Sequence, residues 1–427
     1  MNPRPLDRKK LFRVGNLSIF LIGLGFAVRA NIAPDLQREV FDPLDVATSA
    51  TRVGEALGAT FTGFALTLLF GSALVDLVGM RRMLLFAALG YLAGSLGLLA
   101  AAAWPTAPYA VPLVFGSLLL TGLGWGAVEA ASNPMVAALF PEDKTHRLNI
   151  LHAWWPGGIV AGGLIGVAIG QLGLPWEWNL LLLVLPALLL AHWVWDSEFP
   201  VTERVALGVG YREMWGELWR RPLYWVFWCA MFFTAAAELA PGQWVNIALT
   251  HIAGFPGILV LTYVSALMFA MRHFAGPVAR RLSSVGLLFA SCLLASLGLA
   301  LLSLADRALP VLAAATVWGV GVCYLWPTML AVTAERFPRG GALALGLMGF
   351  AGGLSIQFVL PRMGAIFDEA KIAAAGGVER LATLSGAELA EVLRIASVAS
   401  FQAVALVPLA LLPVFGAVWV YDRRRRG

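Results

Sequence analysis

A glutamate, Glu129, stands in the middle of a long apolar stretch, with Gly122, Gly126 and Asn133 at helical spacing around it. Leaving a carboxylate among hydrocarbon costs on the order of 2.5–3.5 kcal/mol even on insertion scales, so such a group is normally retained for a task. At about 100° per residue the four residues share one helical face. Small residues beside a carboxylate let a ligand approach it, and glycines at that spacing equally let two helices pack closely. A second charged intrusion is Arg29, followed by Asn31 and Pro34. Its guanidinium suits three roles: partner of Glu129, planar clasp for an anionic substrate, or a snorkelling cation at the outer interface. The third cluster is Glu238 with Pro241, Gly242, Gln243, Trp244 and Asn246. Pro and Gly are expected to interrupt the helix here, which membranes tolerate where the interruption lines a cavity. Aromatic faces stack on the C–H side of a pyranose while amides bind its hydroxyls; the alternative is an interfacial tryptophan belt. Trp125, Trp154 and Trp326 carry the same two readings in a chain of 16 tryptophans. Arg272 and His273 suit a proton relay or, for the arginine, snorkelling. His152, at the start of the fifth span, could meet Glu129 across the interface, but near a helix end it is read as structural.

The elements that must position these groups follow from composition. With 59% hydrophobic residues, 13% charged and a mean hydropathy of +0.79, the chain does not have the surface of a soluble globule. Apolar runs of about 20 residues read as spanning helices, here near 11–33, 53–78, 83–103, 112–138, 151–172, 177–197, 222–249, 257–281, 285–305, 309–334, 342–367 and 396–421. Lipid offers no partner to free backbone groups, and the runs are continuous rather than alternating, so helices are expected and a barrel is not. The net charge of +5 does not gather into a nucleic-acid patch. Basic residues collect at the amino end, at Arg81, Arg82, Lys144, Arg147, Arg280, Arg281, Arg336 and Arg339, in the 204–221 segment and in the Arg423–Arg426 tail. All fall on one side, which makes both termini cytoplasmic by the positive-inside rule. The 34–52 and 368–394 segments are acidic and fall opposite. Cys229, Cys292 and Cys323 all lie inside spans and imply no disulfide framework.

The chain also repeats. Gly122-Leu-Gly124 precedes Phe140-Pro141 by the spacing with which Gly319-Val-Gly321 precedes Phe337-Pro338. Spans four and ten are therefore equivalent, and the fold class follows: an all-α membrane protein of twelve transmembrane helices in two pseudo-symmetric six-helix bundles. The expected units are residues 1–197 and 222–427, joined by a polar cytoplasmic linker, 198–221. Within the linker, Tyr211–Arg221 has apolar residues at helical spacing with basic ones between, as in a helix lying along the interface. Parallel repeats of this kind make a central site that opens to either side in turn.

The loop Ser72-Ala-Leu-Val-Asp76-Leu-Val-Gly79-Met-Arg81-Arg82 resembles the cytoplasmic signature of the major facilitator superfamily, a likeness that extends over the whole chain. Over roughly residues 118–166 a narrower likeness appears. Gly122-Leu-Gly-Trp-Gly126-Ala-Val-Glu129-Ala-Ala-Ser-Asn133-Pro134, then Arg147-Leu148-Asn149, is similar to the fucose:proton symporter family. That resemblance implies that Glu129 couples transport to protons. The superfamily likeness assigns Asp76, Arg81 and Arg82 to a conformational latch. Where the symporters place an aspartate, this chain has Arg29.

A phosphate-binding loop, metal-ligand spacings and nucleophile elbows are absent, so neither an ATP-driven pump nor an enzyme is expected. The sequence reads as a monomeric, cofactor-free symporter in the cell membrane, driven by the proton gradient and importing a monosaccharide or small polyol. Substrate contacts are assigned to Arg29, Trp125, Asn133, Glu238, Gln243, Trp244, Asn246 and Trp326. The alternatives are a carrier of an organic anion such as a sugar acid, a facilitative or efflux transporter, and a membrane sensor.

Overall fold

The computed structural model describes residues 6–140, 144–202, 205, 208, 210–253, 256–272, 278, 281–305, 307–337 and 341–426. The first half runs through α1 (Arg8–Leu36), α2 (Ser49–Val78), α3 (Met80–Ala103), α4 (Ala110–Leu139), α5 (Lys144–Gln171) and α6 (Trp178–Trp195). The linker helix α7 (Tyr211–Trp219) follows, where the periodicity predicts it. The second half comprises α8 (Pro222–Ala253), α9 (Ile258–Arg272), α10 (Ser284–Leu304), α11 (Ala308–Val322), α12 (Leu325–Arg336), α13 (Gly341–Ala375) and α14 (Gly386–Arg426). Among the described residues eleven helical stretches are long and apolar enough to cross a membrane, α11 and α12 together making one of them. The remaining span is the apolar helix α9, after which residues 273–277, including His273, lie outside the described residues. The chain is thus an all-α, twelve-span, two-bundle membrane protein.

Side-chain placement follows the solvent. Leu89 and Leu96 on α3, Leu185 on α6, and Leu293 and Leu297 on α10 are exposed, as residues facing lipid must be. Inside, close helix crossings rest on glycine. A Cβ at Gly122 would lie 1.9 Å from the Thr60 carbonyl oxygen, and one at Gly126 only 2.6 Å from that of Phe64. These α4 glycines therefore serve backbone packing on α2, and the ligand-access reading of that face is corrected. Turn geometry at the end of α2 also needs glycine: Gly79 adopts φ +87°.

Two expectations about helix continuity are reversed. α8 runs unbroken through Pro241 and Gly242. A proline at 241 has no N–H for the Ala237 carbonyl, and Trp318 Nε1 donates to that oxygen instead, at 3.3 Å. The interruption occurs in the tenth span, between α11 and α12 at Cys323-Tyr324. Here Pro327 leaves the Cys323 carbonyl unmatched, and Arg272 Nε donates to it at 3.3 Å. The repeat seen in sequence has a structural counterpart: α4 ends at Phe140 with φ −131° and ψ 61°, and α12 at Phe337 with φ −128° and ψ 53°.

The two halves meet along α2 and α13, α5 and α9, and α1 and α8. At one end of the first seam, Asp368 Oδ2 accepts from the Thr51 backbone N–H at 2.8 Å and its hydroxyl at 2.7 Å. Lys371 Nζ lies 2.8 Å from Asp368 Oδ1 and donates to the Val46 carbonyl at 2.9 Å. Both charged side chains are buried there.

Candidate functional site

Between the halves lies a cavity of about 40 Å³, lined by Phe64, Trp125, Glu129, His152, Trp155, Glu238, Leu239, Arg272 and Trp326. One water needs roughly 10–15 Å³ by a comparable measure, so this closed conformer holds a few waters and not a sugar. Aromatic rings seal it across the halves. Phe64 on α2 meets Trp326 on α12 at 6.4 Å between centroids, and the Arg272 guanidinium on α9 stands 5.7 Å from the Trp155 ring on α5. Trp155 is set by the crossing of α1 and α5, where a Cβ at Gly23 would lie 1.9 Å from the Trp155 carbonyl oxygen. Trp125 packs on Phe64 at 4.4 Å and on Phe61 at 5.2 Å.

On the first-half wall, spacing of four along α4 brings Asn133 to Glu129. Asn133 Nδ2 donates to Glu129 Oε2 at 2.8 Å, which leaves Asn133 Oδ1 to accept from His152 Nε2 at 3.0 Å. A hydrogen-bonded chain of imidazole, amide and carboxyl results. Among the described residues no cation lies at ion-pair distance from Glu129, so the pairing with Arg29, one of its three readings, is not formed. His152, read from sequence as structural, is part of the chain. Its signal was its place one turn before Trp155 on a helix that begins just beyond α4.

On the opposite wall Glu238 is buried and fully engaged. Its Oε1 lies 3.3 Å from Arg272 Nη2, and its Oε2 accepts from the Trp326 backbone N–H at 3.3 Å. That N–H is available because the helix has just restarted: the first-turn donors of a helix have no partner of their own. Arg272 therefore faces inward and does not snorkel. Glu238 stands as an ion-pair member as well as a cavity wall.

Arg29 does not snorkel either, being 2% exposed. Its Nε donates to Gln243 Oε1 at 3.4 Å, and its guanidinium stands 5.5 Å from the Trp125 ring. Gln243 Nε2 donates in turn to the Phe26 carbonyl at 2.9 Å, tying α8 to α1. Trp244 turns away from the cavity and packs edge-on against Phe367 at 6.1 Å. The Asn246 side chain, and those of Leu148 and Asn149, lie outside the described residues. The predicted group thus divides. Trp125, Glu129, Glu238 and Trp326 meet at the cavity; Asn133, Arg29 and Gln243 stand directly behind it; Trp244 stands apart.

The cytoplasmic signature sits elsewhere. Asp76 accepts from the Thr202 hydroxyl, and Arg81 Nε donates to the Ser197 carbonyl at 3.0 Å, so the turn between α2 and α3 grips the start of the linker. Arg82 is exposed. Arg280 lies outside the described residues.

Twelve apolar helices in two bundles around a small cavity with aromatic and charged walls are the architecture of a membrane transporter of small molecules. The family model described as the Major Facilitator Superfamily matches residues 15–359, and the chain belongs to that family. Solved structures agree on the fold. The xylose transporter of E. coli superposes with a TM-score of 0.73 at 14% identity, over 95% of this chain and 97% of that one. The fucose:proton symporter of E. coli superposes with a TM-score of 0.58 at 18% identity, over 93% and 98%. A human organic anion transporter gives 0.65 at 16% identity, over 96% and 100%. No curated protein matches the chain by sequence.

Proposed function

We propose that this protein is a proton-coupled symporter that imports a monosaccharide or a closely related small polyol by alternating access. The observation that carries the reading is the chain from His152 through Asn133 to Glu129 on the cavity wall. A carboxyl held only by a neutral amide gains or loses a proton without breaking an ion pair, and the imidazole supplies a neighbouring proton donor or acceptor. Protonation of Glu129 permits cargo to bind, the halves rock about the cavity, and deprotonation on the cytoplasmic side resets the carrier.

Trp125, Trp155 and Trp326 supply faces for a sugar ring, and Asn133 and Gln243 supply amides for its hydroxyls. A xylose transporter and a fucose:proton symporter share this fold, in keeping with such a cargo. The rocking units are residues 1–197 and 222–427, joined by the 198–221 linker, and the protein works as a monomer in the cell membrane with both termini cytoplasmic. Asp76, Arg81 and Arg82 act as a latch through the linker. Glu129→Gln abolishes proton-driven accumulation in sealed liposomes while counterflow exchange continues; uphill uptake by that variant overturns the reading.

A further inference from the structure

Charge in the core of this molecule does not balance locally. Arg272 has its carboxylate in Glu238. Arg29 has none: beyond the single bond from Nε to Gln243, both terminal nitrogens are buried without a hydrogen-bond partner among the described residues. Neither of its polar neighbours, the Tyr91 hydroxyl and the Trp125 indole, is hydrogen-bonded to the fork. A Cβ at Gly25 would lie 3.2 Å from Tyr91 Cε1 and 3.3 Å from Arg29 Nη1, so the phenol and the guanidinium are adjacent. The Tyr91 hydroxyl and the Trp125 indole N–H are likewise buried and unmatched. Cation–π contact with Trp125 offsets part of the desolvation of Arg29 but satisfies none of its N–H groups. Two parallel N–H vectors on a planar cation, flanked by further donors, fit the two oxygens of a carboxylate.

We infer that the cargo carries one carboxylate, clasped by Arg29 with help from Tyr91 and Trp125, and that it crosses together with one proton as an electroneutral pair. This rests on Glu129 as the proton site and narrows the cargo to a hydroxylated monocarboxylate, a sugar acid. The groups around this site set the count: His152 from α5, Glu238 from α8 and Arg272 from α9 line the cavity with Glu129, while Arg29 from α1 stands behind Trp125 with Tyr91 from α3 beside it. With imidazole and phenol neutral, two arginines balance two glutamates when Glu129 is ionised. Protonating Glu129 leaves one positive charge in a low-dielectric core, and an anion cancels it where a neutral sugar does not. α2 and α12 contribute only Phe64 and Trp326 to the same cavity, so neither alters the sum.

The test uses the purified full chain in sealed liposomes with D-gluconate and D-glucuronate, set against neutral D-glucose and D-galactose. An acid-outside pH gradient drives accumulation of at least one of the acids. An inside-negative potential imposed by potassium and valinomycin at equal pH changes the rate of that uptake less than twofold, a readout that needs no variant. Arg29→Gln lowers acid uptake at least tenfold, and Arg29→Lys, which keeps the charge but loses the fork, recovers part of it. The inference is overturned by uptake of neither acid, by acid uptake indifferent to Arg29→Gln, or by neutral-sugar uptake accelerated by the potential. Acid uptake that requires Arg29 but ignores the pH gradient upholds the carboxylate clasp and instead overturns the proton role of Glu129.

Discussion

Glu129 and Glu238 face one cavity from opposite halves and are held in opposite ways. Glu238 has a guanidinium at 3.3 Å and a helix-start N–H at 3.3 Å. Glu129 has one neutral amide, backed by an imidazole. Changing the charge of Glu238 breaks a buried ion pair; changing that of Glu129 rearranges a hydrogen bond. The first arrangement holds α8, α9 and α12 together, and the second suits a group whose charge must change during work.

The largest effect is expected from breaking the paired side. Arg272→Gln leaves Glu238 buried without its cation and lowers stability by about 3–5 kcal/mol, read as a fall in melting temperature of the purified protein. Replacing Glu238 by Gln in the same chain recovers most of that loss, because the uncompensated charge is then gone. Glu129→Gln sharpens the contrast: it shifts the melting temperature little while removing uphill uptake. At the α2–α13 seam, Asp368→Asn removes the carboxylate paired with buried Lys371 and weakens two bonds to Thr51. It costs about 1–3 kcal/mol and raises labelling of a cysteine placed at Val46. The smallest effect belongs to Trp318→Phe, which takes the donor from the Ala237 carbonyl beside Pro241 and costs about 1 kcal/mol in melting experiments.

How much of this was legible beforehand depends on sequence distance. Glu129 and Asn133 are one turn apart, so helical geometry alone pairs them. Their link to His152 crosses a helix boundary and was undervalued. Glu238 and Arg272 read separately in the sequence, as substrate contact and snorkelling cation, because nothing in their spacing joins two helices. Pro241 drew the predicted helix break to the wrong span, since α8 continues through it with Trp318 donating to the carbonyl that the proline frees. At Cys323 the freed carbonyl is met by Arg272, yet the helix still restarts, and the N–H exposed at Trp326 goes to Glu238.

The amino-acid sequence by itself determined that this chain crosses a membrane many times, that its basic residues gather in one set of loops, and that its two halves repeat. Those properties follow from transfer free energy and charge counted along contiguous stretches, where every residue's neighbours are known. Only the tertiary structure decided which cation meets which carboxylate, which glycines serve packing, and which arginine is left with an open fork. Such choices depend on distances between helices far apart in the chain, and in a medium without water each unmatched polar atom makes the choice count.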